Sequence, residues 1–429
     1  MMVDKINTRQ TIGDFIFQLR IEKNLTYSGL EELTGINKSV LYRIERGETK
    51  HPEFKTVKTI ASALKIPYQE IIECYLEDEN RIDTLFEILN EIMTYEGNFS
   101  LVQKVALRLL QSPGKETEES LQRLFNFAAN VKEVFLKVAL YEVIIEYSRG
   151  HGVMVYLAKG LLQKYLIERL DFKRLEQTYQ ESQEILHYTD FLSREEKITF
   201  YFRMGLHAHN TKKYKDCIKH CNEGINLENR DTELKARAYL AMINSYSQLK
   251  HYDMVERCLD VFERFEYAFV SEAAKITRAI TKARKKEYEI AIPLLRSYMN
   301  ELSNNYKISI ATELIEIYLQ INDMKSIAEL LEKELEFLPD NPEGPHTHSA
   351  IGLYYRQKGA YQLEIGLVYE GIQSFVLSMN AFGKINGSKE RDEFMSQIFT
   401  YFLKSNKQFE LQYINMLKEL YSIFYWNCS

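Results

Sequence analysis

Proline and glycine are scarce, 7 and 18 among 429 residues. Both residues punctuate strands and turns, so their shortage argues against a many-stranded β fold. Cysteine is sparse as well. Five of them (Cys74, Cys217, Cys221, Cys258, Cys428), odd in number and scattered, do not make a disulfide framework. No run of about eighteen apolar residues occurs, and the opening MMVDKINTRQ lacks the apolar centre of a secretion signal, so a cytoplasmic protein without membrane contact is expected. Glycine-rich phosphate loops, GxSxG elbows and HExxH are missing too. What is present is ordinary globular material, 45% hydrophobic and 27% charged, which excludes disorder for most of the chain. Tyrosine is the excess, 29 against one tryptophan.

A net charge of −6 excludes coating of nucleic acid along the whole length, but not a single basic module. Residues 1–68 hold eleven Lys and Arg against eight Asp and Glu, a net of +3, which leaves −9 for the remainder. That sign suits a DNA-facing head on an acidic body.

The head breaks into five short helical patterns. Ile12, Phe15, Ile16 and Leu19 share one face of the first. Thr26 caps a second that carries Leu30 and Leu33, and Gly35 supplies a turn. Asn37 caps a third from Lys38 to Arg46, closed by Gly47. Pro52 opens a fourth and Pro67 a fifth. Two short helices across a glycine turn is the geometry that lays the second helix in a major groove. The run Thr26 to Gly47, down to its closing Arg43-Ile44-Glu45-Arg46-Gly47, resembles the Cro/Xre-type helix-turn-helix family over about 60 residues. Gly29 departs from that family, which has a good helix former there.

Leu30, Leu33, Ile36, Leu41 and Ile44 are expected to point inward. That leaves Lys38, Ser39, Tyr42 and Arg43 outward, with Thr26 and Arg46 beside them, as the DNA-binding set. The structural alternative pairs Arg43 with Glu31 or Glu32. An Arg20–Glu45 ion pair inside the domain is what the resemblance implies. One such module offers a small interface, so a homodimer on a double-stranded operator with two half-sites is expected.

From residue 82 onward amphipathic helices alternate with short polar turns, the clearest at residues 112–115 and 148–152. Lys212-Lys-Tyr214, Lys250-His-Tyr252, Lys286-Glu-Tyr288, Asn322-Asp-Met324 and Gly359-Ala-Tyr361 recur at intervals of 38, 36, 36 and 37. Apolar or small residues that seat the following helix come soon after: Cys217, Val255, Ala291, Ile327 and Ile365. The period is similar to that of tetratricopeptide repeats, with Gly205, Gly352, Tyr246, Tyr318, Tyr355 and Pro339 at consensus positions. The fold class expected is all-α: a five-helix helix-turn-helix domain (1–77), a helical connecting region (78–152), a right-handed α-solenoid of repeats (153–385), and C-terminal capping or dimerisation helices (386–429).

Head and repeats in this order resemble the RRNPP family of Gram-positive peptide-pheromone receptors. The resemblance implies a transcription regulator, not an enzyme, whose repeats bind a short signalling peptide and thereby change operator binding. In that family an asparagine on a first (A) helix clamps the peptide backbone, since its amide donates and accepts at once. Asn244, in a Tyr-Leu-x-x-x-Asn-Ser pattern similar to that of the phage arbitrium receptors, takes that place. Arg203, His209, Arg237, Gln248, Arg284, Glu316, Gln320 and Arg356 are its expected neighbours along the groove; all are equally readable as solvated helix faces. Cations there would suit an acidic or carboxy-terminal group. No cofactor is implied. Cys217-x-x-His220-Cys221 has half a zinc site's spacing, but reads as repeat packing. Two other functions stay open: a repeat scaffold that binds a protein, and a phosphorelay phosphatase or sequestering protein. The segment from Asn386 ends in apolar Ile423–Trp426 and is expected to pack on a neighbour.

Overall fold

The computed structural model describes residues 11–94, 99–113, 117–302, 304–339, 342, 344–385 and the isolated positions 400, 403, 415 and 418. The expected terminal helices of 386–429 therefore fall outside the described residues, those four positions apart. Every regular element described is helical, and the chain divides into two compact units. One holds residues 1–167 with 184–192; the other holds 168–183 with 193–429.

The first unit opens with five short helices, α1 (Ile12–Glu22), α2 (Tyr27–Thr34), α3 (Lys38–Glu45), α4 (Phe54–Ala63) and α5 (Tyr68–Asp78). Their ends follow from local chemistry. Thr11 and Asp14 form a capping box on α1, Thr26 accepts from Gly29 N on α2, and Asn37 accepts from Ser39 N on α3. Gly35 ends α2 at φ 70° and Gly47 follows α3 at the same φ, a left-handed conformation that costs a glycine little. The fourth helix starts at Phe54, two residues past Pro52.

Ile16, Leu30, Leu41, Ile44, Val57 and Ile60 are buried at 2% exposure or less, each stabilising the head by roughly 1.5–3 kcal/mol. Leu33 is not among them. It is 60% exposed, because Thr34 takes the inward place one turn after Leu30 and returns its hydroxyl to Leu30 O.

Residue 77 marks no break in packing. Helices α6 (Ile82–Ile92), α7 (Phe99–Leu110), α8 (Thr117–Asn130), α9 (Val134–His151) and α10 (Met154–Glu168) follow, and one hydrophobic core runs from Ile12 to Tyr147. The junction is tied by polar bonds as well. Arg108 of α7 donates to Glu79 O at 3.0 Å and to Asn80 Oδ1 at 2.9 Å. Buried Glu79 accepts from Tyr75, whose hydroxyl lies equally close to Pro52 O, and from Arg81. Burial pushes its carboxyl up, but the bonds from Arg81 outweigh that and hold it below the usual range. The head and its connecting helices share one core.

The second unit begins with α11 (Leu175–Ser182) and continues as five helical pairs. These are α12 (Arg194–Asn210) with α13 (Tyr214–Leu227), α14 (Glu233–Gln248) with α15 (Tyr252–Phe262), and α16 (Ala268–Arg284) with α17 (Tyr288–Glu301). Then come α18 (Asn304–Gln320) with α19 (Met324–Leu331), and α20 (Gly344–Glu364) with α21 (Val368–Gly383).

One device turns the chain in all five pairs. Lys212, Lys250, Lys286, Asn322 and Gly366 sit at φ 60°, 62°, 63°, 59° and 86°. In each case the next residue donates its N–H to a carbonyl five residues back: Lys213 to Ala208, His251 to Tyr246, Glu287 to Lys282, Asp323 to Tyr318, and Leu367 to Gln362. This is the Schellman closure, which usually carries glycine at the left-handed position. Three lysines stand there instead, and their charge suits the carboxyl end of a helix.

The fifth turn is displaced from its expected place. Gly359-Ala-Tyr361 lies inside α20, with Tyr361 buried, and the chain turns at Gly366. Gly359 is a packing glycine, since a Cβ there would lie 3.0 Å from Gly371 O. Ile365 is accordingly 41% exposed, and Val368 and Ile372 seat the helix instead. Cys217, Val255, Ala291 and Ile327 are fully buried at the other four B helices. Gly205 and Gly352 admit B-helix side chains: a Cβ on them would come within 2.4 Å of Cys221 Sγ and of the Phe382 ring.

Candidate DNA interface and repeat face

One face of α3 presents Lys38, Ser39, Tyr42 and Arg43 to the outside, and with Tyr27 they line an open depression of about 380 Å³. Helical spacing explains the grouping, because 38 and 42, and 39 and 43, are one turn apart. Lys38 N–H donates to Glu31 Oε1 at 3.2 Å, which pins the turn between the two helices. Arg43 reaches only its own helix, Nε to Ser39 O at 3.4 Å, and forms no ion pair with Glu31 or Glu32 among the described residues. Arg46 places its guanidinium over the Tyr42 ring, 5.6 Å from the centroid. Thr26 is exposed, and its hydroxyl is engaged as the α2 cap.

Behind this surface lies a buried polar knot. Arg20 binds Glu45 through two parallel bonds of 2.7 and 2.8 Å and donates to Leu25 O at 2.8 Å. The guanidinium sits 4.1 Å over the Tyr27 ring, and the Tyr27 hydroxyl donates to Glu45 Oε2 at 2.9 Å. The bond to Glu45 raises the Arg20 pKa above its ordinary value. The ion pair is the one that the resemblance implied. Tyr27 is the member of this surface that the sequence reading did not single out; its signal was its position directly after the Thr26 cap.

Successive A helices adjoin one another, α12 on α14, α14 on α16, α16 on α18 and α18 on α20. Counted back from each left-handed turn residue, Asn244 and Glu316 fall six places earlier, Gln248, Arg284 and Gln320 two places, and Arg203 nine. Spacings of three and four place these on one helical stripe. Asn244 is half-buried on α14, and its amide makes no hydrogen bond among the described residues. Arg203 is half-buried without a described partner. His209 accepts or donates at Ser245 Oγ, 3.0 Å away.

Other members of the set are engaged within the chain. Arg237 pairs with Glu233 at 2.7 Å and lies 4.7 Å over the Phe269 ring. Arg284 bonds Glu313 at 2.8 Å and also Glu316, to which Gln357 donates at 3.3 Å. Tyr288 donates to Gln320. Arg356 is half-buried on α20. Glu313, absent from the expected set, is 5% exposed, and burial pushes its carboxyl up to about 7 against the opposing pull of Arg284. It lies three residues before Glu316 on the same stripe, and that spacing was the available signal.

Cys217 and Cys221 are fully buried, and Cys221 Sγ occupies the space above Gly205. No group of three or more His, Cys, Asp or Glu suited to a metal occurs among the described residues. No described helix is long and apolar enough to cross a membrane.

Residues 16–71 match the helix-turn-helix family. A stretch of the chain is similar to the HTH-type transcriptional repressor RghR of Bacillus subtilis (strain 168), 27% identical over 128 residues, 28% of this chain and 93% of that protein. Among solved structures, a Rap protein complexed with competence and sporulation factor superposes with a TM-score of 0.39 and 12% identity, over 82% of this chain and 96% of that one. Bacillus thuringiensis PlcR, in complex with the peptide PapR7 and DNA, gives 0.28 and 16%, over 89% and 98%. Superpositions at those scores carry no argument about binding. The N-terminal part is a helix-turn-helix domain. With the helical pairs that follow it, the chain has the two-part order of the RRNPP family that its sequence resembles.

Proposed function

We propose that this chain is a transcription regulator that binds an operator as a homodimer through α3 and is switched by a short peptide held on the A-helix stripe. The observation that carries the reading is the pairing of two surfaces in one chain. The recognition helix keeps Lys38, Ser39, Tyr42 and Arg43 outward, with Arg43 out of any described ion pair. The repeat stripe leaves the Asn244 amide without a hydrogen bond among the described residues. The similarity to RghR, a transcriptional repressor, supports the first half. The peptide would act by favouring one of two arrangements of the repeats, and only a difference in its affinity for the two can shift operator binding.

The test measures operator affinity of the full chain, on sequence selected from random duplex DNA, with and without short peptides from host culture supernatant. Affinity that changes with a peptide, and an Asn244→Ala chain that loses the response, supports the switch. Identical binding under every peptide fraction discards it, and retained peptide affinity in Asn244→Ala discards the stripe as its site.

A further inference from the structure

Tyr42 occupies the middle of the exposed face of α3. Lys38 and Ser39 precede it by one turn and Arg46 follows by one, so a cation stands on either side of it along the stripe. It is 42% exposed, a large aromatic left in water on the helix that enters the groove. Its ring is also held. Tyr27 meets it edge-on, with centroids 5.8 Å apart and planes at 64°, and Arg46 lies over it at 5.6 Å. Tyr27 is fixed in turn by its hydroxyl on Glu45 and by the Arg20 guanidinium over its ring. A chain of contacts thus runs from the buried ion pair to one exposed ring.

We infer that Tyr42 reads a thymine of the operator by apolar contact of its ring with the C5-methyl group, and that Tyr27 is the positioning residue that holds the ring for it. The inference rests on the proposed DNA-binding function and names a feature of its target. The chemistry selects the base. Lys38 and Arg43 match acceptor atoms on guanine and phosphate oxygens, whereas the thymine methyl is the apolar feature of the major-groove edge. Exposed side chains of the recognition helix meet base edges in the major groove, where flanking cations also reach phosphate oxygens. A preset ring gives up little conformational freedom on contact.

The experiment uses the full chain and the duplex it selects from a random library. Each thymine of the selected site is replaced singly by deoxyuridine, which removes the methyl and leaves the pairing unchanged. One position per recognition helix is expected to lose roughly three- to tenfold in affinity, the scale of one buried methyl. In Tyr42→Ala the uracil penalty at that position vanishes. In Tyr42→Phe it persists, because the phenol is not the reading group. In Tyr27→Phe the thymine-to-uracil ratio shrinks, since the tie to Glu45 is gone. Thermal melts of each variant check folding. Uracil tolerated everywhere by the wild-type chain, or a penalty unchanged in Tyr42→Ala, overturns the inference while DNA binding stands. A library that yields no enriched sequence overturns the DNA-binding reading and this inference with it.

Discussion

Arg20 and Glu45 tie the end of α1 to the end of α3 in a bidentate ion pair, with the two residues only 4% and 7% exposed. Glu45 also takes the Tyr27 hydroxyl, so two side chains share one carboxylate. Desolvating two charges is expensive, and such a pair holds the fold only while both members are present.

Arg20→Ala is therefore expected to cost about 3–5 kcal/mol, because it leaves the Glu45 carboxylate buried with one phenol for company. Replacing both residues by apolar ones of similar volume, Arg20→Met with Glu45→Leu, should recover much of that loss. Urea titration of the full chain, following the transition that contains the head, reads both. A single substitution costing less than about 1 kcal/mol would show the pair to be structurally idle.

Two glycines of the head should respond in opposite directions. A Cβ on Gly13 would lie 2.3 Å from the Ile44 carbonyl oxygen, backbone that cannot step aside, so Gly13→Ala should destabilise by about 1–3 kcal/mol or more. At Gly29 the nearest atom is Thr26 Oγ1 at 3.5 Å, ordinary contact in a helical turn. Gly29→Ala should stabilise by about 0.5–1 kcal/mol. Thermal melts of the two variants decide it; equal shifts would mean that α1 and α3 are not in backbone contact.

The left-handed lysines give a third case. At φ 62° Lys250 holds a conformation that costs an L residue about 1–2 kcal/mol, so Lys250→Gly should be neutral to stabilising by up to about 1 kcal/mol, the gain offset by the freer unfolded chain. Lys250→Val should lose more than that, since a β-branched side chain is worst at positive φ. The order Gly, Lys, Val in melting temperature is the expected outcome. A valine variant as stable as wild type would contradict the turn geometry.

These particulars show why some features were legible in the sequence and others not. Caps and turns announce themselves locally, and Thr26, Gly35, Asn37 and the Lys-x-Tyr turns were placed by residue type alone. Facing was harder. Leu30 and Leu33 look equivalent in a row, but which of Leu33 and Thr34 turns inward depends on what packs above them. Gly359 carries a turn-like signature and yet serves as a packing contact, a distinction that only Gly371 and Phe375 across the pair can make. Glu313 escaped for a related reason. Its burial is created by neighbouring helices, and a carboxylate in an amphipathic pattern looks solvated.

At the candidate DNA surface, Arg43→Ala should weaken operator binding in a way that reports its role. If Arg43 contacts a base edge, the loss is about 1–3 kcal/mol and discrimination relaxes at one position. If it contacts phosphate, the loss is uniform across sequences and the salt slope falls by about one. Affinity at several salt concentrations, on the selected duplex and on single-base variants of it, separates the two. No change in either quantity would remove Arg43 from the interface.

Glu313 makes the repeat unit's stability depend on pH in a stated direction. Burial raises its carboxyl from an ordinary value near 4.5 to about 7, so the folded chain keeps a proton that the unfolded chain releases between those values. The contribution is whole below about pH 4.5 and is lost as pH rises through 7, a change of at most about 3 kcal/mol. Arg284 and Glu316 surround the group with opposite charges, and Gln357 adds a neutral donor to Glu316. Glu313→Gln keeps an oxygen for Arg284 and cannot ionise. Other groups titrate in both chains, so the readout is the difference between wild type and variant in urea unfolding at successive pH values. The variant should gain on wild type from pH 5 to 8 and run parallel to it outside that window. Parallel curves throughout would mean that Glu313 ionises normally, with Arg284 outweighing burial, and that the inner stripe of α18 is wetter than its packing indicates.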